Sequence, residues 1–216
     1  MARHSLGDSV LSGKSEEGQG EHAGGASSTA RSRRPTLVDL GCGAGLASES
    51  LARLGHTVLG VDAAADLIQA AQNHAAGQDL PLRYRHATAE ILIAEGQTFQ
   101  TVTALEIIEH VTDPSAFLCL LAQLVQPGGR LFISTLNRTA RSLVVAKFGA
   151  EYIARLLPPG THEWRRFITP SELMGYARRA GFKPTATIGM TYELRSRTWA
   201  RSADLTINYM SEFKRA

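Results

Sequence analysis

From Thr36 onward, apolar and polar positions alternate in blocks whose length and period set the elements. TLVDL (36–40) is a short continuous apolar run, the pattern of a buried strand. GLASESLARLG (45–55) spaces Leu46, Leu51 and Leu54 as one helical face, expected to point into the core, and Gly55 stops the helix. HTVLGVD (56–62) reads as a strand, AADLIQAAQNHAA (64–76) as a helix and LRYRHA (82–87) as a third strand. A short helix follows over about Ala89 to Glu95, then a fourth strand, FQTVTALE (99–106). PSAFLCLLAQLV (114–125) is a helix entered through Pro114 and left at Pro127-Gly128-Gly129, before a fifth strand, RLFISTL (130–136).

Strands alternating with helices predict a parallel, doubly wound α/β sheet. Residues 137–167 break the rhythm and read as a helical insertion, about 138–167. Thr169 then suits an N-cap, Pro170 the first helical position and Glu172 the third, a capping box; Gly181 ends that helix. KPTATIGMTY (183–192) and ADLTINYM (203–210) are expected as the last two strands, paired as an antiparallel hairpin. Before Thr36 the pattern is absent. Residues 1–35 are rich in Gly, Ser, Ala and charge, and are expected to stay unordered because they bury too little to offset ordering entropy.

Composition adds limits. The 216 residues, 44% apolar and 20% charged, suit one globular domain, here 36–216. No run of about 18 apolar residues suggests a membrane-spanning helix. The N-terminus lacks the apolar core of a secretory signal, and Asp8, Glu16, Glu17 and Glu21 argue against an organelle transit peptide. Cys42 and Cys119 lack metal-ligand spacing, so a reducing compartment is the default. The net charge of +3 divides into −6 over 37–137, +8 over 138–216 and +1 before them. The basic half suits an anionic partner, or is only a solvated surface. Nucleic acid is not expected, because aromatic residues are not interleaved with the basic ones.

Two stretches carry chemistry. VDLGCGAG sets Gly41, Gly43 and Gly45 between a strand and a helix, where glycine lets backbone approach a ligand. Asp62 ends the second strand, 21 residues past Gly41, where an acid accepts ribose hydroxyls. A dinucleotide turn would carry its third glycine at Leu46; Asp39-x-Gly41-x-Gly43-x-Gly45 instead resembles the S-adenosylmethionine loop of class I methyltransferases. In that fold Leu105 and Ala89 lie against the adenosine. The second stretch, EIIEHV (106–111), packs two carboxylates and an imidazole beside an apolar run. It reads as a reactive cluster, with His110 a candidate general base, or as a structural turn before the helix start at Asp113-Pro114.

VDLGCGAGLASESLARLG, ALEIIEHVTDP, LVQPGGRLFISTLNR, GAEYIARLLPPGTHEWRRFITPSEL and NYM together resemble the ubiquinone-biosynthesis O-methyltransferases, over about Leu37 to Met210. The resemblance implies a Rossmann-like class I fold with a seven-stranded sheet whose last strand is antiparallel. It implies methyl transfer from S-adenosylmethionine to a phenolic oxygen of a polyprenyl-hydroxyphenol and of 3-demethylubiquinol. Asp39, Gly41, Gly43, Asp62, Ala89 and Leu105 would bind the cofactor. Glu106, Glu109 and His110 would hold a divalent metal, Mg2+, with Glu109 and His110 catalytic. Alternatives are a different quinone or small-molecule methyltransferase, or an inactive membrane-associated partner in a quinone-synthesis complex. The family carries an upstream segment with Trp-Trp, P-L-H and N-P-x-R motifs that residues 1–35 do not match, so an N-terminally shortened member is expected.

SLVVAKFGAEYIARLL (142–157) has Lys147, Glu151 and Arg155 on one stripe and is otherwise largely apolar. It is either a packed helix or a surface that meets lipid through about 142–166, beside Arg138, Arg141, Arg165 and Arg166. A bacterial source would place the protein in the cytoplasm on the inner membrane face, a eukaryotic one on the matrix side of the mitochondrial inner membrane.

Overall fold

The computed structural model describes residues 35–143, 166–193 and 198–216. Residues 1–34 of the segment expected to stay unordered, 144–157 of the amphipathic stretch and most of the insertion expected at 138–167 lie outside them. Three parallel strands come first, β1 (Leu37–Leu40), β2 (Val58–Asp62) and β3 (Leu82–His86). Helices α1 (Leu46–Arg53) and α2 (Ala65–Ala75) connect them. After α3 (Ala89–Ala94) come β4 (Phe99–Leu105), a 3-10 turn over Ile108–His110, α4 (Pro114–Leu124) and β5 (Val125–Leu136). Helix α5 (Pro170–Arg179) leads to β6 (Phe182–Glu193), β7 (Thr198–Ser202) and β8 (Asn208–Arg215).

The strand order is β3-β2-β1-β4-β5-β8-β6-β7. The first five are parallel, and β8, β6 and β7 join antiparallel. The chain runs outward from β1 to β3 and returns to lay β4 on the other side of β1. Strand order therefore reverses between β1 and β4, and ligands bind beyond the strand ends at such a point. The inner parallel strands β1, β2, β4 and β5 carry the core, which is why Val38, Val61, Val102, Ala104 and Ile133 show no accessible surface, while β3 at the edge is only partly covered. No helix among the described residues is long and apolar enough to cross a membrane.

Several expectations need correction. Eight strands are present among the described residues, not seven, because Thr198–Ser202 adds an edge to β6. The expected antiparallel pairing of the last stretches is present, between β6 and β8, but not as a direct hairpin: β7 intervenes and pairs with the other edge of β6, and residues 203–207 form the loop before β8. Strand β5 starts at Val125, and its pairing with β4 jumps from Phe99↔Val125 to Thr101↔Arg130, so the Pro-Gly-Gly segment is a bulge in the strand. A Cβ on Gly129 would meet the Gln100 carbonyl oxygen at 2.7 Å, so that close approach needs glycine. The face of α1 is also different. Leu46 and Leu54 are 66% and 77% exposed, while Ser48, Glu49 and Ala52 are buried. A polar network wins that face: Ser48 donates to Asp39, and Glu49 accepts from Arg53 and Gln78 and contacts His74 of α2. The helix starts fit the sequence. Asp113 caps α4 through Ser115 and Ala116, and Thr169 with Glu172 forms the capping box of α5.

Candidate functional site

Strand β1 delivers the chain into a turn in which Gly41, Gly43 and Gly45 all take positive φ, 71°, 53° and 88°. That conformation strains any residue with a Cβ. Gly41 has a second constraint, since a Cβ there would meet Ile107 Cδ1 at 2.5 Å. The glycine turn and EIIEHV therefore touch. Asp62, at the end of β2, clamps the turn: its Oδ2 accepts from the Gly43 N–H at 2.9 Å and its Oδ1 from the Ala64 N–H at 2.8 Å. A carboxylate has about four lone-pair positions, so Asp62 keeps acceptor capacity beyond these two bonds.

Beneath the turn lies Asp39, 1% exposed. Its carboxylate accepts from Ser48 Oγ and Thr103 Oγ1, both at 2.6 Å. Burial pushes its pKa up against those two hydrogen bonds. Asp39 thus props the turn from below and does not line the cleft, a correction to its expected cofactor contact. Tyr84 on β3 supports the turn from the side, its hydroxyl donating to the Gly45 carbonyl at 3.0 Å. Cys42 is inert: burial, then the Asp39 and Asp62 charges, push its thiol up to about 12.

The turn, the end of β2, the start of α3 and EIIEHV enclose a cleft of about 480 Å3, a size that suits a small-molecule cofactor. Gly41, Gly43, Asp62, Ala89, Glu106 and His110, all expected at the site, line it. Leu105 does not; it borders a separate groove of about 640 Å3 with Leu51, Phe132 and Met210. The sequence placed it inside because it ends β4, but it leaves the strand toward that second groove. The cleft's described lining carries Asp62, Glu90 and Glu106 and neither Lys nor Arg. Such a wall disfavours a pyrophosphate and suits a ligand with a positive centre.

At the lip, Glu106 is the sole non-glycine residue with positive φ among the described residues, at 52°. A strained backbone at a cleft is held by its surroundings. Here Ser134 on β5 holds it. The Glu106 N–H donates to the Ser134 carbonyl at 3.0 Å and to Oγ at 3.2 Å, and Ser134 Oγ donates to Glu106 Oε1 at 2.6 Å. Glu109 sits in the 3-10 turn, 4% exposed, and accepts from Thr135 Oγ1 at 2.9 Å. Burial pushes its pKa up, against hydrogen bonds from its own backbone, Thr135 and Glu106, so the two carboxyls lie within hydrogen-bonding reach. Burial, then Glu172, Glu109 and Glu106, push the Tyr209 phenol up as well. Two carboxyls that close together make ionising both costlier than ionising either alone. His110 is an exposed side chain on the cleft wall. Among the described residues no three His, Cys, Asp or Glu side chains form a metal-holding group, so Glu106, Glu109 and His110 are not gathered as the expected three-ligand set. Ser134, Thr135 and Tyr84 were not anticipated; two hydroxyl residues closing the apolar run of RLFISTL were the available signal.

Known proteins give this site a relationship. A family model described as "Methyltransferase domain" matches residues 23–187. The ubiquinone biosynthesis O-methyltransferase of Caulobacter vibrioides is 48% identical over 176 residues, which cover 81% of this chain and 70% of that protein. That of Dinoroseobacter shibae is 45% identical over 176 residues, 81% and 71% of the two chains. The chain belongs to the ubiquinone biosynthesis O-methyltransferase family. Solved structures agree on the fold. The magnesium protoporphyrin IX methyltransferase of Synechocystis PCC 6803, crystallised with SAH, is 23% identical with a TM-score of 0.59, over 84% of this chain and 74% of that one. A SAM-dependent methyltransferase of Thermotoga maritima is 16% identical with a TM-score of 0.61, over 85% and 83%. Within the ubiquinone biosynthesis O-methyltransferase family, the cleft between β1 and β4 is therefore the place to seek the chemistry.

Proposed function

We propose that this chain O-methylates polyprenylated phenols in ubiquinone biosynthesis, with S-adenosylmethionine as donor and a polyprenyl-hydroxyphenol and 3-demethylubiquinol as acceptors. The observation that carries the reading is the acidic, Lys- and Arg-free cleft beside the glycine turn, with Glu106 on its wall and the buried Glu109 outside its lining. The cleft fits the donor: Asp62 receives ribose hydroxyls, the side-chain-free turn admits the amino-acid portion, and the acidic wall favours a sulfonium. Ala89 and Thr88, at the start of α3, form the wall on which adenine would rest.

When bound, the donor supplies a methyl group already activated for displacement, and a divalent ion would stabilise the acceptor as its phenolate. The remaining work belongs to the chain. A phenol titrates near about 10, so at neutral pH its proton must be taken. His110, open to the cleft, is placed to accept it at a ring nitrogen. Glu106 and Glu109 fit Mg2+, which prefers oxygen donors and uses one or two carboxylates. Their fixed positions would hold the acceptor oxygen in line with the methyl group, where a small misplacement is costly. The polyprenyl tail and the net +8 of residues 138–216 support contact with an anionic membrane surface through about 142–166, at the inner face of a bacterial membrane, where a quinone-synthesis complex would also be met.

The test is a reaction of the purified protein with S-adenosylmethionine and a short-tailed 3-demethylubiquinol. The expected product is the ring ether, gaining one methyl by mass. Methylation at ring carbon, or none with either acceptor, would overturn the proposal.

A further inference from the structure

We propose that Ser134 and Thr135, consecutive residues at the end of β5, are the positioning residues that aim the Glu106–Glu109 pair at the acceptor oxygen; this rests on the reading of that pair given above. Side chains of successive strand residues leave on opposite sides. A single packing role does not explain why both are hydroxyls and both reach a carboxylate. Ser134 is 2% and Thr135 0% exposed. The pairing Leu105↔Ser134 places Ser134 beside the last residue of β4, and Thr135 faces Tyr209 on β8. Strand β5 therefore passes where β4 gives way to EIIEHV.

Each hydroxyl has one task. Ser134 closes a ring of contacts on Glu106 through its carbonyl, Oγ and the Glu106 N–H and Oε1. That ring holds the left-handed backbone of Glu106, and so the direction of its side chain. Thr135 Oγ1 fixes Oε2 of Glu109 from the buried side. The other Glu109 oxygen can then face Glu106. Neither hydroxyl lines the cleft. Both act through the carboxylates; Glu106 lines the donor cleft with Asp62 and Gly43, whereas Glu109 does not.

The experiment compares Thr135→Val, Thr135→Ser, Ser134→Ala and Glu109→Gln in the full chain. It measures kcat and KM for a short-tailed demethylubiquinol, the S-adenosylmethionine Kd by calorimetry, and Tm. Valine keeps the branched shape of threonine and removes only the hydroxyl. The expected result is a kcat lowered on the order of tenfold or more in Thr135→Val and Ser134→Ala, the scale of one hydrogen bond to a charged group. The donor Kd should stay within about twofold in Thr135→Val, because Glu109 lies outside the donor cleft, and Thr135→Ser should recover most of the lost rate. Wild-type kcat in Thr135→Val, or a Thr135→Ser variant as slow as Thr135→Val, overturns the proposal. Glu109→Gln separates the two failures. If it is slow while the hydroxyl variants are not, the positioning role alone is wrong. If it too runs at the wild-type rate, the carboxylate pair has no part in the reaction and the positioning role falls with it.

Discussion

Gly60 offers a sharp test of how the glycine turn is supported. It lies in the middle of β2 with no positive φ, so its backbone does not require glycine. A Cβ built there would nevertheless meet Tyr84 Cδ1 at 2.5 Å and Cε1 at 2.6 Å, and Ser48 Oγ at 3.0 Å. The Tyr84 ring lies over Gly60 so that its hydroxyl can reach the Gly45 carbonyl. In Gly60→Ala the ring must move, which costs about 1–3 kcal/mol by the usual scale of overpacking. Moving it also withdraws the Gly45 hydrogen bond, so S-adenosylmethionine should bind several-fold more weakly. The assay is a double-mutant cycle in urea with Tyr84→Ala. With the ring removed, the remaining conflict is with Ser48 Oγ, a tight contact that a small shift relieves. The cost of Gly60→Ala should then fall by at least about 1 kcal/mol. Additive losses in the two variants would refute the argument, since they would show that Tyr84 is not what Gly60 accommodates.

Three further outcomes are expected. Burial pushes the Glu49 carboxyl up, but His74, Arg53 and Gln78 outweigh it and hold its pKa below the usual range. A depressed carboxylate stabilises above its unfolded pKa and loses that stabilisation as pH falls through its folded one. The stability gap between wild type and Glu49→Gln, followed by urea midpoint, should therefore be largest near neutrality and shrink below about pH 4. Thr169→Ala should cost about 1 kcal/mol in the same assay by removing the capping box of α5. Iodoacetamide near neutral pH should label exposed Cys119 and spare Cys42, read by peptide mass, because the Cys42 thiol is pushed up to about 12.

The alternating architecture was legible because the inner parallel strands are short runs rich in apolar residues, separated by stretches of helical period. Asp113-Pro114 and Thr169-Pro170-x-Glu172 are local devices, and they work in the structure as they read in the sequence. Tertiary contacts decided what was not legible. Leu46 and Leu54 match an inward face by spacing, yet the buried carboxylates of Asp39 and Glu49 draw the polar side of α1 inward. The place of β8 between β5 and β6 is set by pairing across residues far apart in the chain, which periodicity does not encode. At the site, glycine spacing and Asp62 pointed to a turn that does border a cleft. The support for the carboxylate pair was hidden, because hydroxyls on β5 meet Glu106 and Glu109 only after the sheet forms.

The most direct test of the central claim compares wild type with Glu109→Gln, using methyl-labelled S-adenosylmethionine, a short-tailed demethylubiquinol and calorimetry of donor binding on the same preparations. The account predicts donor binding by both proteins with Kd values within about twofold. Label should reach the acceptor in wild type, and at a rate lower by about a hundredfold in the variant, the scale of a removed charged group at a reacting centre. A wild-type protein that binds no donor, or a variant that transfers label as fast as wild type, would contradict it.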